Sequence, residues 1–324
     1  MKNLVCVGAC YLDTILSVPF YPEEDSKLRA TNLQVRRGGN CPNTLQVFQQ
    51  LLREWSGHDI KPYLVSCLPS EQAPATATIL ESFGSDTAVD FSRCIYRAGS
   101  QPASSYILRS EASGSRTIVN YTDLPEMRPE EFVAAVDDLG DDTWFHFEGR
   151  NPETTLQCIR YLRRSKSKAA VSVEVEKPGR EGLEDLAAEA DVVFYSRSWA
   201  EDKRYESARQ CLSAQSGVAR RASHLLCTWG SRGASCLSLP SQTSVSCAAT
   251  QPGQTIRVVD TVGAGDTFIA GMLFGLLCHT RDWDVETKVR FAVRLATVKV
   301  QQEGFDGVGA ETARLLGSSV APSC

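Results

Sequence analysis

Asp266 closes a glycine-rich turn in D-T-V-G-A-G-D-T-F-I-A-G (residues 260–271), directly ahead of an apolar run with the length of a helix. A carboxylate in that place has three uses: it can cap the helix, hold a metal ion or remove a proton. Gly263, Ala264 and Gly265 strip side-chain bulk from the turn, so its backbone N–H groups can converge on one point. The following helix adds its positive dipole end there, which makes an anion cradle suited to phosphate. A capping aspartate would compete with that anion for the same N–H groups. An aspartate that faces the acceptor instead could serve as general base for a hydroxyl attacking phosphorus. The bland alternative stays open at this point: Asp260 or Asp266 is an N-cap and the glycines only tighten a loop. Gly271 and Gly275 fit close helix packing.

A second stretch with chemical content is R-R-G-G-N-C-P-N-T, residues 36–44. Gly38 and Gly39 permit unusual backbone angles, and Pro42 suits the first turn of a helix beginning there. Asn40 can cap that helix and Asn43 can sit in its first turn. Alternatively both carboxamides project into a site, each donating and accepting hydrogen bonds as the hydroxyls of a neutral polyol require. Asp13, at the end of the first apolar run, adds an acceptor-only carboxylate, because ligands of open α/β sheets collect at the carboxyl ends of strands.

The commoner nucleotide and nucleophile fingerprints are missing. There is no G-x-x-x-x-G-K-[ST], no G-x-G-x-x-G after a first strand, no H-R-D with D-F-G and no G-x-S-x-G.

The elements that must position these residues read as an alternating α/β chain. Strand-like runs fall at 4–9, 62–68, 143–149, 170–176, 191–196 and 224–230, and helix candidates at Thr44 to Trp55 and Thr154 to Arg164. Such alternation predicts a mostly parallel sheet covered on both faces. Residues 12–38 and 101–121 break the pattern: they alternate apolar and polar residues around turns at Pro22 to Asp25 and Ser113 to Ser115, and read as antiparallel strands of a small separate sheet, a lid over a site or an ordinary edge sheet. The domain is expected to span 1–309, with 310–324 a flexible tail that starts as a short helix.

At 324 residues the chain can bury roughly 75 % of its unfolded surface. A net charge of −5, with scattered charges, offers no basic face for nucleic acid. Twelve cysteines occur without a C-x-x-C pair, six of them (Cys6, Cys67, Cys94, Cys158, Cys227 and Cys236) inside apolar segments, which predicts reduced core thiols. His58, His146, His224 and His279 are far apart with no H-x-x-x-H spacing, so no zinc site is expected and no residue is assigned as a metal ligand. The start M-K-N-L-V-C-V-G-A-C imitates an export signal but reads better as a buried first strand, and Thr267 to Cys278 is too short to span a bilayer. A reducing, cytoplasmic setting without membrane contact is expected.

R-G-G-N-C-P-N near the start and D-T-V-G-A-G-D-T-F near the end resemble, in this order, the two signatures of the ribokinase-like (PfkB) carbohydrate kinases. Y-P-E-E-D-S-K-L-R (21–29), G-S-R-T-I-V (114–119), H-F-E-G-R-N (146–151), S-V-E-V-E-K-P (172–178) and G-F-D-G-V (304–308) resemble the ketohexokinase branch in particular. The resemblance implies an α/β sandwich of about nine core strands with a β-sheet lid. It also implies transfer of the ATP γ-phosphate to a sugar hydroxyl, most fittingly on a ketohexose such as fructose. Ribose, another pentose or a nucleoside remain alternative acceptors, and a non-catalytic sugar-binding regulator is a third reading. Mg²⁺ arrives with the nucleotide, and K⁺ is a candidate further ion. By position Asp266 is the base and Gly263, Ala264 and Gly265 form the anion hole. Asp13, Gly39, Asn40 and Asn43 contact the sugar, while Arg116, Gly230, Ser231, Arg232 and Gly233 serve the nucleotide. Lids of two subunits clasp in a homodimer, where Asp25 reaches the neighbour's site. Three departures stand out: Ser115 replaces an asparagine, Ser231 and Arg232 replace acidic residues, and the N-x-x-E element is reduced to a lone Glu201.

Overall fold

The structure, a computed structural model, describes residues 2–239, 241–250, 253 and 255–317. In chain order, β1 (Lys2–Val7) lies in the core, β2 (Tyr11–Val18) and β3 (Asn32–Gly38) leave it, and α1 (Asn40–Glu54) returns. Next come β4 (Ile60–Val65), the short β5 (Cys67–Pro69), α2 (Pro74–Glu81) and the short β6 (Ile95–Arg97). A second excursion, β7 (Ser104–Ser110) and β8 (Arg116–Tyr121), precedes α3 (Pro129–Val136). Strands and helices then alternate through β9 (Thr143–Phe147), α4 (Pro152–Ser165), β10 (Ala170–Val175), α5 (Leu183–Glu189) and β11 (Val192–Tyr195). They continue with α6 (Arg197–Asp202), α7 (Ala208–Gln215) and β12 (His224–Thr228). A single 3₁₀ turn (Gly230–Arg232) leads to β13 (Ala234–Ser238), β14 (Thr243–Cys247), α8 (Ala264–Cys278), α9 (Val285–Lys299) and α10 (Val308–Gly317).

The apolar runs pair side by side because both of their faces are covered. The main sheet has eight strands in the order β14-β13-β12-β11-β10-β9-β1-β4, against the expected nine or so. Pairing is parallel from β12 to β4, and β13 and β14 add an antiparallel edge. One core lies under α1, α8 and α9, where Leu45, Phe48, Phe274 and Leu295 are buried. The other lies under α3 to α7, with Phe132, Ile159, Leu186 and Leu212 buried. Leu45, Phe48 and Leu52 of α1 and Trp55 at its end point into the first core, and Trp55 packs on Phe274 and Phe291. Helix α8 is buried on nearly every side, as a helix apolar all round must be.

The two irregular segments form a separate four-stranded sheet, β3-β2-β7-β8. It is not wholly antiparallel as expected: β2–β3 and β7–β8 are hairpins, but β2 and β7 run parallel. Both hairpins leave the core on their first strand, so those two strands meet in the same direction. Strand alternation gives this sheet two faces. One carries Asp13, and the other carries the exposed Leu33, Val35, Tyr106, Val119 and Tyr121.

The expected tail begins as ordered structure. Helix α10 extends to Gly317 and buries Val308 and Thr312, while 318–324 lie outside the described residues. Every described cysteine is a free thiol. No described helix is long and apolar enough to cross a membrane.

Candidate active site

The turn from β3 into α1 depends on Gly39. Its φ is +108°, and a Cβ there would lie 2.2 Å from the carbonyl oxygen of Ala9, so only glycine fits. Gly39 occupies the cap position of α1 and no side chain caps the helix, which frees Asn40 and Asn43 for other work. Asn40 Nδ2 donates to Glu174 Oε2 at 2.7 Å and to Glu176 Oε2 at 3.0 Å. The buried Arg37 donates from Nη1 to Asn43 Oδ1 at 3.1 Å, which leaves Asn43 Nδ2 to donate to Asp266 Oδ2 at 2.8 Å. The guanidinium therefore fixes which way the Asn43 amide faces. Arg37 is itself held by Ser82 Oγ at 2.9 Å and by the face of Phe83 at 4.3 Å.

Asp266 is the third residue of α8, which begins at Ala264 rather than after Asp266 as expected. It caps nothing: Gly263 holds the cap position at φ +76°, with no side-chain cap bond, and the Phe305 ring fills the place where a Cβ would stand. Asp260 has the structural part. Its Oδ1 accepts from Val262 N at 2.9 Å and its Oδ2 from the buried Lys299 Nζ at 2.8 Å, which pins the start of the turn.

One cleft gathers Asp13, Gly39, Asn40, Asn43, Arg116, Gly263, Gly265 and Asp266 from both sheets, α1 and α8. A second pocket adjoins it and is walled by Ile256, Val258, Val293, Ala296 and Val300, with Gly230, Ser231 and Gly233 at one side and Ala264 at another. The two meet at Thr228, Thr261, Gly265 and Phe268, so the α8 amide end faces both. Of the candidate anion-hole amides, Ala264 N already donates to Thr261 O at 3.3 Å. One expected residue, Arg232, is not brought in, and the lone Glu201 lies elsewhere. Arg232 lies outside the pocket wall, its guanidinium 5.1 Å above the Trp229 ring, and Glu201 pairs with Arg197 at 2.6 Å on α6. Asp25 is exposed on the β2–β3 connection with φ +60°, away from the cleft of its own chain. Ser115 lies in the exposed β7–β8 turn, bonded to Ser113 Oγ at 2.8 Å.

The cleft concentrates carboxylates. Burial, reinforced by Glu174, holds Asp266 well above the ordinary carboxylate range, although the Asn43 bond opposes the shift. Burial and Glu176 raise Glu174 to about 8, and burial and Glu174 raise Glu148 to about 7. Asp13 is also raised by burial, against a Ser105 hydrogen bond and the charges of Arg36 and Arg37. Such displaced acids are what a site that moves a proton near neutral pH requires.

The sequence matches the pfkB family carbohydrate kinases over residues 1–312. The chain belongs to this family. The kinase is 31% identical over 314 residues to ketohexokinase of Mus musculus, with 95% of this chain and 99% of that protein covered. Its fold superposes on ribokinase from Giardia lamblia with a TM-score of 0.77 at 17% identity, covering 99% of both chains. It superposes equally on the Arabidopsis thaliana ribokinase complexed with ribose and ATP, at 0.77 and 18%, over 97% of this chain and 98% of that one. At those identities the structural likeness speaks for the ribokinase fold.

Reading the sequence alone passed over Arg37, Glu148, Glu174 and Glu176 in this kinase. The signal was present in R-R-G-G-N, H-F-E-G-R-N and S-V-E-V-E-K-P, stretches whose resemblance was noted without assigning work to their charged members. A buried arginine two residues before a glycine turn, and glutamates at strand ends, are the positions to question.

Proposed function

We propose that this carbohydrate kinase moves the γ-phosphoryl group of ATP onto a hydroxyl of a ketohexose such as fructose, with Asp266 as general base. The observation that carries the reading is the junction at Gly265, beside Asp266, where a polar cleft of sugar size meets an apolar pocket of nucleobase character. The relationship to a ketohexokinase supports the choice of acceptor. Asp13, Asn40 and Asn43 hold the sugar hydroxyls, and Gly39 lets the backbone approach them. Asp266 takes the proton of the attacking hydroxyl, while the amides of Gly263 and Gly265 receive the charge that gathers on the transferring group, joined by that of Ala264 once it leaves Thr261 O. Arg116 at the cleft rim adds a charge-assisted contact to phosphate, and Gly230, Ser231 and Gly233 line the nucleotide side. General-base assistance contributes about 10²- to 10⁴-fold, and positioning with electrostatic stabilisation the remainder.

Mg²⁺ is held by few protein ligands and keeps water and phosphate oxygens around it. Glu176, on the cleft wall with its carboxylate accepting from Asn40, fits that need, whereas Glu201 does not reach the cleft. The ion neutralises phosphate charge when bound. The apolar outer face of the lid sheet fits a second copy of the chain, with Asp25 at the neighbour's cleft. Initial rates of ADP release with fructose, tagatose, ribose and adenosine test the acceptor: fructose should give the highest kcat/KM. Turnover of ribose or adenosine without fructose would overturn the ketose assignment and leave the kinase standing.

A further inference from the structure

Beneath the cleft, three elements bring together a thiol, an imidazole and a carboxylate. Cys41 Sγ from α1, a His146 ring nitrogen from β9 and a Glu174 oxygen from β10 lie within 4.8 Å of one another. All three side chains are shut off from solvent, at 0 %, 0 % and 2 % exposure. Spacing along the chain could not reveal the group, because each donor comes from a different element.

We propose that Cys41, His146 and Glu174 form a Zn²⁺ site. Two features carry this. First, the donor set is one thiolate, one imidazole and one carboxylate, so a bound Zn²⁺ gives a neutral cluster in a buried place. Second, the imidazole is already oriented as a ligand. Trp144 Nε1 meets Ser172 Oγ at 2.8 Å and Ser172 Oγ meets His146 Nδ1 at 2.9 Å, so Nε2 is aimed at Glu174 Oε1, 3.1 Å away. A partner on the second ring nitrogen is the usual support of a metal-bound histidine. Gly8 packs directly against the thiol: a Cβ there would lie 2.8 Å from both Cys41 Sγ and Glu148 Oε2, so a larger residue would press on the group.

Binding exchanges protons for metal. The Cys41 thiol, which donates to Val7 O at 3.3 Å, loses its proton to solvent. The proton that His146 Nε2 and Glu174 Oε1 share across 3.1 Å also leaves to solvent, so that the imidazole, with its proton on Nδ1 toward Ser172, offers the Nε2 lone pair and Glu174 an ionised oxygen. Donors now up to 4.8 Å apart draw in to bonds of about 2.0 to 2.3 Å. Glu174 gives Oε1 to the metal and keeps Oε2 on Asn40, so occupancy stiffens the carboxylate that orients Asn40.

The test uses Co²⁺ as a coloured substitute, both added to the purified full-length protein and supplied during expression, with metal content measured on the folded product. Wild type should hold one equivalent and show a thiolate-to-Co²⁺ charge-transfer band. Cys41→Ala should lose the band. Ser172→Ala, which keeps all three ligands, should bind Zn²⁺ about 10- to 100-fold more weakly in competition with a chelator. Circular dichroism checks that both variants remain folded. Folded wild type without bound metal by either route, or a Cys41→Ala protein with undiminished band and content, overturns the proposal.

Discussion

Replacing Asp266 by asparagine separates catalysis from architecture. The introduced carboxamide can still accept the Asn43 hydrogen bond now made at 2.8 Å, so the contact between α1 and α8 survives. What disappears is the basic lone pair facing the sugar. If Asp266 is the general base, kcat falls about 10²- to 10⁴-fold, a barrier increase of roughly 3 to 5 kcal/mol, while the KM for sugar changes little. Stability should move the other way. Burial and the neighbouring Glu174 make the charged carboxylate unfavourable here, so its neutral replacement should raise the thermal midpoint. Coupled ADP release and differential scanning fluorimetry on the same preparation read both. An Asp266→Asn protein within tenfold of wild-type kcat refutes the base assignment. A protein that loses activity and melting temperature together shows that Asp266 is structural.

Arg37→Met leaves the buried Asn43 oxygen without its donor; it should cost about 1 to 3 kcal/mol in urea unfolding and raise the sugar KM more than it lowers kcat. Lys299→Met leaves the Asp260 carboxylate with Arg36 as its remaining cation at 3.5 Å and should cost about 1 to 3 kcal/mol by the same measurement. Because the folded enzyme holds Asp266 above the ordinary carboxylate range, the acid limb of kcat/KM should lie above about pH 4. Glu176→Gln, which removes one of the charges raising Asp266, should move that limb downward in a pH–rate profile. For stability the sign is opposite: a raised carboxyl favours the folded state while protonated, and that contribution is lost as pH rises from about 4 through the folded value. Urea midpoints of Asp266→Asn should accordingly depend less on pH than those of wild type. If the outer lid face joins two copies, Tyr106→Lys with Val119→Lys should halve the mass seen in sedimentation, and an unchanged mass would remove the clasp.

Much of the fold was legible because its strands are continuous apolar runs with helices between them, the pattern that only a sheet covered on both faces produces. The edge strands β13 and β14 were missed, since Thr243–Cys247 is half polar and small. The parallel contact of β2 with β7 was missed because it joins segments far apart in sequence, and no local pattern encodes it. In the site, the two glycine turns pointed to Asp266, Asn40 and Asn43, and the structure brings those residues together. The possible capping roles fell away for a geometric reason: both helices begin at a glycine of positive φ, which leaves the polar side chains unspent. Arg37 and the glutamates were invisible as a group because their effect is mutual. A carboxylate is perturbed by its neighbours, and neighbours are known only once β9, β10 and α8 stand side by side.

The central claim is phosphoryl transfer from ATP to a sugar hydroxyl, and ³¹P NMR of the purified protein with Mg²⁺, ATP and fructose tests it most directly. The account predicts a phosphomonoester resonance that grows in step with ADP and is absent with the Asp266→Asn protein. ADP appearing with inorganic phosphate alone, or sugar binding without any ADP from fructose, ribose or adenosine, would contradict it.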